Sequence, residues 1–263
     1  MLLVFRVIRL VLTLSLVAVG LLAVVGLPRL VRRRFLRGAA RFVLAAVGVA
    51  VAVEDRRPFA GNARGLIVAN HVSFLDVLAI AAVAPAHFVA KAEVAAMPGI
   101  GAVARRFGVI SVDRASLRRL PQSLDAAVAA LHRDRCVAVF PEGTTRCGRS
   151  TGEFRPAFFQ AAIDAGVPVL PMRVDFRVSG VRVSGPAFIG EDTIGETMTR
   201  ILRMRRLTVV VRRHEVLLPD VDRRELAARC RLLIADHEVL GHEPDRDDRP
   251  THGRVTETLP HAA

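Results

Sequence analysis

The chain has 263 residues, enough to bury one sizeable core. It is 52% hydrophobic, carries a formal charge of +13, and contains three cysteines but neither Trp nor Tyr. Cys136, Cys147 and Cys230 are odd in number and lack CxxC spacing, which argues against a disulfide framework and a zinc site and predicts reduced thiols. The charge is nearly all Arg, with Lys91 the only Lys. No aromatic-interleaved basic patch accompanies it, so an anionic membrane surface suits the charge better than nucleic acid does.

The first element is an uncharged run over residues 10–27. As a helix it rises about 27 Å, close to the roughly 30 Å of a bilayer core, so it can span or lie half inserted. Arg6 and Arg9 precede it, and Arg29, Arg32, Arg33, Arg34 and Arg37 follow. A dense basic flank in place of a small-residue cleavage site argues against a cleaved signal, and it predicts a membrane protein whose main body faces the cytoplasm. A second apolar run, residues 42–53, is too short to span. A membrane-dipping helical pair accommodates both runs, so residues 1–57 are expected to form a membrane-associated helical arm.

From about residue 65 short β-rich runs alternate with helical ones. Strands are predicted at 66–70, 87–91, 108–113, 136–140, 167–174, 181–188 and 207–217, and helices at 74–84, 117–133, 156–165, 193–206 and 222–239. The alternation implies an α/β domain over residues 58–240, with a mostly parallel mixed sheet flanked by helices. Residues 241–263 mix Pro, Asp, Arg and His without apolar periodicity and read as a mobile tail.

Four short blocks gather the chemistry. In NHVSFLD, residues 70–76, His71 and Asp76 are five apart. On one helix they would point about 140° apart, but they can meet if His71 lies in the loop closing the first strand and the helix begins at Ser73. Ser73-x-x-Asp76 also reads as a capping box. The cap accounts for two residues, whereas a histidine base oriented by a carboxylate accounts for all three. In FPEGTTR, residues 140–146, Pro141 ends a strand and Gly143 permits a tight turn. Glu142, Thr144, Thr145 and Arg146 then place polar groups at the carboxyl edge of the sheet, where open α/β sheets bind ligands. In GVISVDR, residues 108–114, the Arg114 guanidinium at a strand end can grip a phosphate, although an Asp113–Arg114 surface pair is the commoner fate. In VPVLPM, residues 167–172, two prolines suit an edge strand or an irregular wall. Gly99-x-Gly101-x-x-Ala104 follows a helical-looking run, so it fails as a dinucleotide fingerprint, and HEVLGH at 237–242 lacks the histidine register for zinc.

Taken in chain order, NHVSFLD, GVISVDR, FPEGTTR and VPVLPM resemble the four blocks of the glycerolipid acyltransferases, the lysophospholipid acyltransferases related to 1-acylglycerol-3-phosphate acyltransferase in particular, over roughly residues 60–180. The resemblance implies His71 and Asp76 as the catalytic pair. It implies Arg114, Glu142, Gly143, Thr144 and Arg146 as contacts to the acceptor and Pro168 as a contributor to donor binding. The implied reaction moves a fatty acyl group from an acyl-CoA or acyl carrier protein thioester to the free hydroxyl of a lysophospholipid in the membrane. It requires no cofactor, no metal and no serine or cysteine nucleophile. Two departures bear on the acceptor: Thr145 intervenes before Arg146, and Ser111 stands where an aromatic residue is common. The acceptor therefore stays open between 1-acyl-glycerol-3-phosphate, lyso-ornithine lipid and another lysolipid. Two readings compete: a non-catalytic lipid-binding protein, against which intact His71, Asp76 and Glu142 argue, and a membrane-anchored hydrolase in which His71 activates water.

Overall fold

A computed structural model describes residues 2–24, 26–58, 64–93, 108–113, 117–133, 135–190 and 192–235. In chain order the elements are α1 (Leu2–Ala23), α2 (Arg29–Ala46), β1 (Val49–Asp55), β2 (Leu66–Ala69), α3 (Leu75–Val83), β3 (His87–Lys91) and β4 (Ile110–Val112). They continue with α4 (Leu120–His132), β5 (Val137–Val139), α5 (Ala157–Asp164), β6 (Val169–Val178), β7 (Val181–Arg182), α6 (Ile194–Arg203), β8 (Leu207–Arg213) and α7 (Arg223–Ala235). The strands form one eight-stranded sheet in the order β1-β8-β6-β2-β5-β3-β4, with β7 paired to β6. Among the described strands β6–β8 and β6–β7 pair antiparallel, and the other registered strand pairs are parallel.

The two faces of the sheet follow from strand alternation. In β2, whose four residues are all buried, Ile67 and Ala69 join one apolar layer with Leu44 of α2, Ile80 of α3 and Ile201 of α6. Leu66 and Val68 face the other layer, with Ala127 of α4, Phe159 of α5 and Leu226 of α7. The expected α/β layering is present, with helices on both faces of a largely parallel sheet.

Three sequence expectations change. The run at 42–53 is not one helix: Gly48, at φ +82°, turns the chain out of α2, and the alternating Val-Ala segment after it becomes β1. β1 pairs along its whole length with β8, so this stretch belongs to the sheet and not to a helical arm. The strand expected at 181–188 stops after Arg182; beyond it Gly185 and Pro186 interrupt the pattern, and the next backbone donors go to Phe176, Ser184 and Val72. The VPVLPM segment starts β6, a central strand between β8 and β2 and not an edge. Pro171 is tolerated because its carbonyl accepts from His214, which places its donor-less nitrogen on the same side, past the last registered β6–β8 pair at Met172 and Arg213.

Helices α1 and α2 pack as an antiparallel hairpin, with Gly20 against the Phe35 ring at one end and Arg9 bonded to the carbonyls of Ala45 and Ala46 at the other. Helix α1 is long and apolar enough to cross a bilayer by length and composition. Its pattern is inverted relative to a soluble helix: Arg6 and Thr13 are buried, while Val4, Phe5, Ile8, Leu12, Leu16 and Val19 are each more than half exposed. The residues expected to form a tail, 241–263, lie outside the described residues.

Candidate active site

Because β2, β5, β3 and β4 run parallel, their carboxyl ends share one edge, and the first and third blocks leave the sheet there side by side. Asn70, the residue after β2, is buried and extends the ladder with its side chain. Its Nδ2 donates to the Val174 carbonyl at 2.9 Å and its Oδ1 accepts from the Val174 N–H at 2.7 Å. His71 follows in the loop, as expected. Helix α3 begins at Leu75, with Phe74 as its cap residue, so Ser73 is not the N-cap. The Ser73 hydroxyl reaches the Leu75 N–H at 3.4 Å, while the Asp76 carboxylate reaches back to the Ser73 N–H at 2.8 Å, which is one half of a capping box.

Asp76 is fully buried, and its Oδ2 gathers His71 Nδ1 at 2.8 Å, the Val72 N–H at 2.6 Å and the Ser73 N–H at 2.8 Å. A carboxylate only accepts, so Nδ1 carries the proton and Nε2 keeps its lone pair. Among the described residues no hydrogen-bond partner engages Nε2. The imidazole lies flat on the Phe140 ring, with centroids 4.0 Å apart and planes 14° apart.

The third block wraps the same histidine. Gly143, at φ +78°, closes the turn that its N–H makes to Phe140 O at 3.1 Å. Arg146 donates its backbone N–H to the His71 carbonyl at 2.8 Å, and its guanidinium lies against Gly152 and 3.6 Å from Glu142 Oε2. Glu142 has a side chain 1% exposed. Burial pushes its carboxyl above the usual range, opposed by the Gly152 N–H, the Arg146 guanidinium and His71. Thr144 is exposed at the mouth. The Thr145 hydroxyl donates to the Phe188 carbonyl, and the Phe188 N–H donates to Val72 O, which straps the 183–190 segment across the loop carrying His71.

His71, Asp76, Glu142, Gly143, Thr144 and Arg146 thus meet at one edge. Arg114 lies outside the described residues; Asp113, which follows β4 at the same edge, pairs with Arg119 at 3.4 Å. Pro168 falls at the opposite end of the sheet, where its carbonyl accepts the Leu66 N–H, before β2 begins its run toward His71. A cleft of about 500 Å³ between β3, β4 and α4 reaches Ser111 and Asp113 of the second block but neither His71 nor Glu142. Sequence reasoning assigned no role to Phe140, Asn70 or Phe188. Phe140 and Asn70 sit inside blocks already singled out, whereas nothing local marks Phe188.

Residues 50–175 match the family described as Acyltransferase. The lyso-ornithine lipid O-acyltransferase of Pseudomonas aeruginosa is 37% identical over 172 residues, covering 64% of this chain and 66% of that protein. The 1-acyl-sn-glycerol-3-phosphate acyltransferase of Neisseria meningitidis is 34% identical over 182 residues, covering 68% of this chain and 70% of that one. The fold is also like that in the crystal structure of PlsC, the 1-acyl-sn-glycerophosphate acyltransferase of Thermotoga maritima, with a TM-score of 0.61 over 89% of this chain and 92% of that one at 20% identity. With a histidine–carboxylate pair at the carboxyl edge of such a sheet, the chain belongs to the acyltransferase family. That membership is the expectation formed from the four blocks.

Proposed function

We propose that the protein moves an acyl group from an acyl-CoA or acyl carrier protein thioester to the free hydroxyl of 1-acyl-glycerol-3-phosphate, giving phosphatidate. The observation that carries the chemistry is the 2.8 Å His71–Asp76 bond, which leaves Nε2 as a base with no hydrogen-bond partner among the described residues. Nε2 takes the hydroxyl proton as the acceptor oxygen bonds to the thioester carbonyl carbon. The tetrahedral oxyanion then collapses, the carbon–sulfur bond breaks, and the imidazolium returns its proton to the departing thiolate. Asp76 balances the transient positive charge. His71→Ala should lower turnover by on the order of 10²-fold or more while thermal melting holds. The decisive assay supplies one thioester donor and a panel of lysolipids to purified protein. Near-normal turnover by His71→Ala removes the mechanism, and thioester hydrolysis without lysolipid product removes the transferase reading.

A second acceptor, lyso-ornithine lipid, is supported by the Pseudomonas aeruginosa relative and by the extra Thr145, which ties to Phe188 and leaves Arg146 folded toward Glu142. In the same panel, transfer to lyso-ornithine lipid without transfer to lysophosphatidate selects it.

For attachment, we propose that the α1–α2 hairpin lies half inserted in the membrane with the sheet on the cytoplasmic side. Arg6 and Arg9 fasten the first third of α1 to the domain, and the remainder, residues 10–23, rises about 21 Å, less than the roughly 30 Å needed to cross. Leu12→Glu with Leu16→Glu, both on the exposed face, should move the protein into the soluble fraction with thermal stability intact. Unchanged membrane sedimentation would place the anchor elsewhere.

A further inference from the structure

His71 is held at Nδ1 by one oxygen of Asp76. A single hydrogen bond fixes a line; the ring can still tilt about that line and swing Nε2 away from a bound hydroxyl. The second constraint comes from Phe140, whose ring lies 4.0 Å from the imidazole and within 14° of parallel.

Phe140 is itself well fixed. It directly follows β5, its carbonyl accepts the Gly143 N–H at 3.1 Å, and Pro141 comes next with its own carbonyl taken by Arg155 N–H at 3.0 Å. Its ring packs beside the buried Phe88 of β3, centroids 6.3 Å apart and planes 20° apart, so three nearly parallel rings run from the His71 loop into the core. The histidine backbone is clamped as well, by Asn70 on Val174 before it and by the Arg146 N–H on its own carbonyl.

We infer that Phe140 is a positioning residue for the acyl transfer: the face of its ring sets the plane of the His71 imidazole, so that Nε2 stays on one heading and the acceptor hydroxyl meets it only in that plane. The inference rests on His71 being the base of the proposed reaction, and the two can fail separately. If His71→Ala retains turnover, the mechanism falls whatever Phe140 does.

The test compares Phe140→Leu and Phe140→Tyr with the parent chain, reading steady-state kinetics and the NMR signals of the histidine ring protons, with His71 assigned by its loss in His71→Ala. A proton held over an aromatic face is shifted upfield. In Phe140→Leu the His71 signal should move downfield and kcat should fall about 3- to 10-fold, the range aromatic pairs contribute, while KM for thioester and lysolipid stays within about 2-fold. Phe140→Tyr keeps a ring in place and should restore both signal and kcat. Phe88→Leu removes the support behind Phe140 without touching His71. It should give a smaller change in the same direction, and it serves as the test if Phe140→Leu does not fold. An unmoved His71 signal with parental kcat, in Phe140→Leu or in its substitute, overturns the inference. So does a raised KM for either substrate at parental kcat, which would make Phe140 a substrate contact instead.

Discussion

At the residue scale, Asp76 concentrates three donors on Oδ2 and leaves Oδ1 buried without a hydrogen-bond partner among the described residues. One oxygen therefore both closes the loop onto α3 and orients the imidazole, so in the proposed mechanism loop geometry and catalytic geometry cannot be varied separately. Glu142 behaves differently. Its burial raises the carboxyl above the ordinary value of 4.5, so the folded protein holds that proton more tightly than the unfolded chain does. The associated stability is fully present below about 4.5 and is lost as pH rises through the raised folded value. Glu142→Gln stays neutral at every pH and can still accept from Gly152. It should melt near the parent at pH 4 and higher than the parent at pH 7, a difference read by paired thermal melts. An equal offset at both pH values would mean that Glu142 carries no proton-linked strain. The His71–Asp76 pair was legible in the sequence because its partners are five residues apart. The Asn70–Val174 and Thr145–Phe188 ties span 104 and 43 residues, and no local pattern announces such pairings.

Among elements, α1 shows how charge can seat an apolar helix. Arg6 donates to the carbonyls of Leu202 and Met204 at the end of α6, and its guanidinium fills the space over Gly48, where a Cβ would come within 2.3 Å. Arg9 caps the carbonyls that end α2. These carbonyls have no partner within their own helices, so each arginine answers groups that every helix end leaves open. Arg6→Ala should cost about 2 kcal/mol of stability, seen as a lowered melting temperature, without releasing the protein from membranes. A parental melting temperature would make Arg6 a bystander. Removing residues 1–37 would take away this seating together with the first half of α2, whose second half sets Ala40 and Leu44 in the core, so loss of folding is the expected result and not a soluble domain. Helix periods and the strands near the site could be read from the sequence. β1 could not, because its Val-Ala alternation continues an apolar run begun in α2, and only Gly48 marks the switch.

On the scale of the whole molecule, the parallel strands bring separate blocks to one edge, while β1 and the hairpin bind the arm into the same folded unit. The arm is thus no tether of variable length. The distance from the apolar face of α1 to His71 is built into the sheet, so on the proposed function a lipid hydroxyl has to come to a base held at fixed height.

One feature of the loop reaches into kinetics. Ser73, two residues from His71, is fully buried with its hydroxyl turned to the Leu75 N–H, and among the described residues no hydroxyl or thiol bonds to His71. In the proposed reaction the acyl group then passes directly from thioester to acceptor. On that reading the donor thiol departs only once the lysolipid has arrived, and the order of events is a ternary complex and not a double displacement. Incubated with acyl-CoA and isotopically labelled free CoA but no lysolipid, the enzyme should leave the acyl-CoA unlabelled. Initial-rate lines at several acceptor concentrations should intersect and not run parallel. Label entering the thioester in the absence of acceptor would reveal a covalent acyl carrier that this loop does not provide.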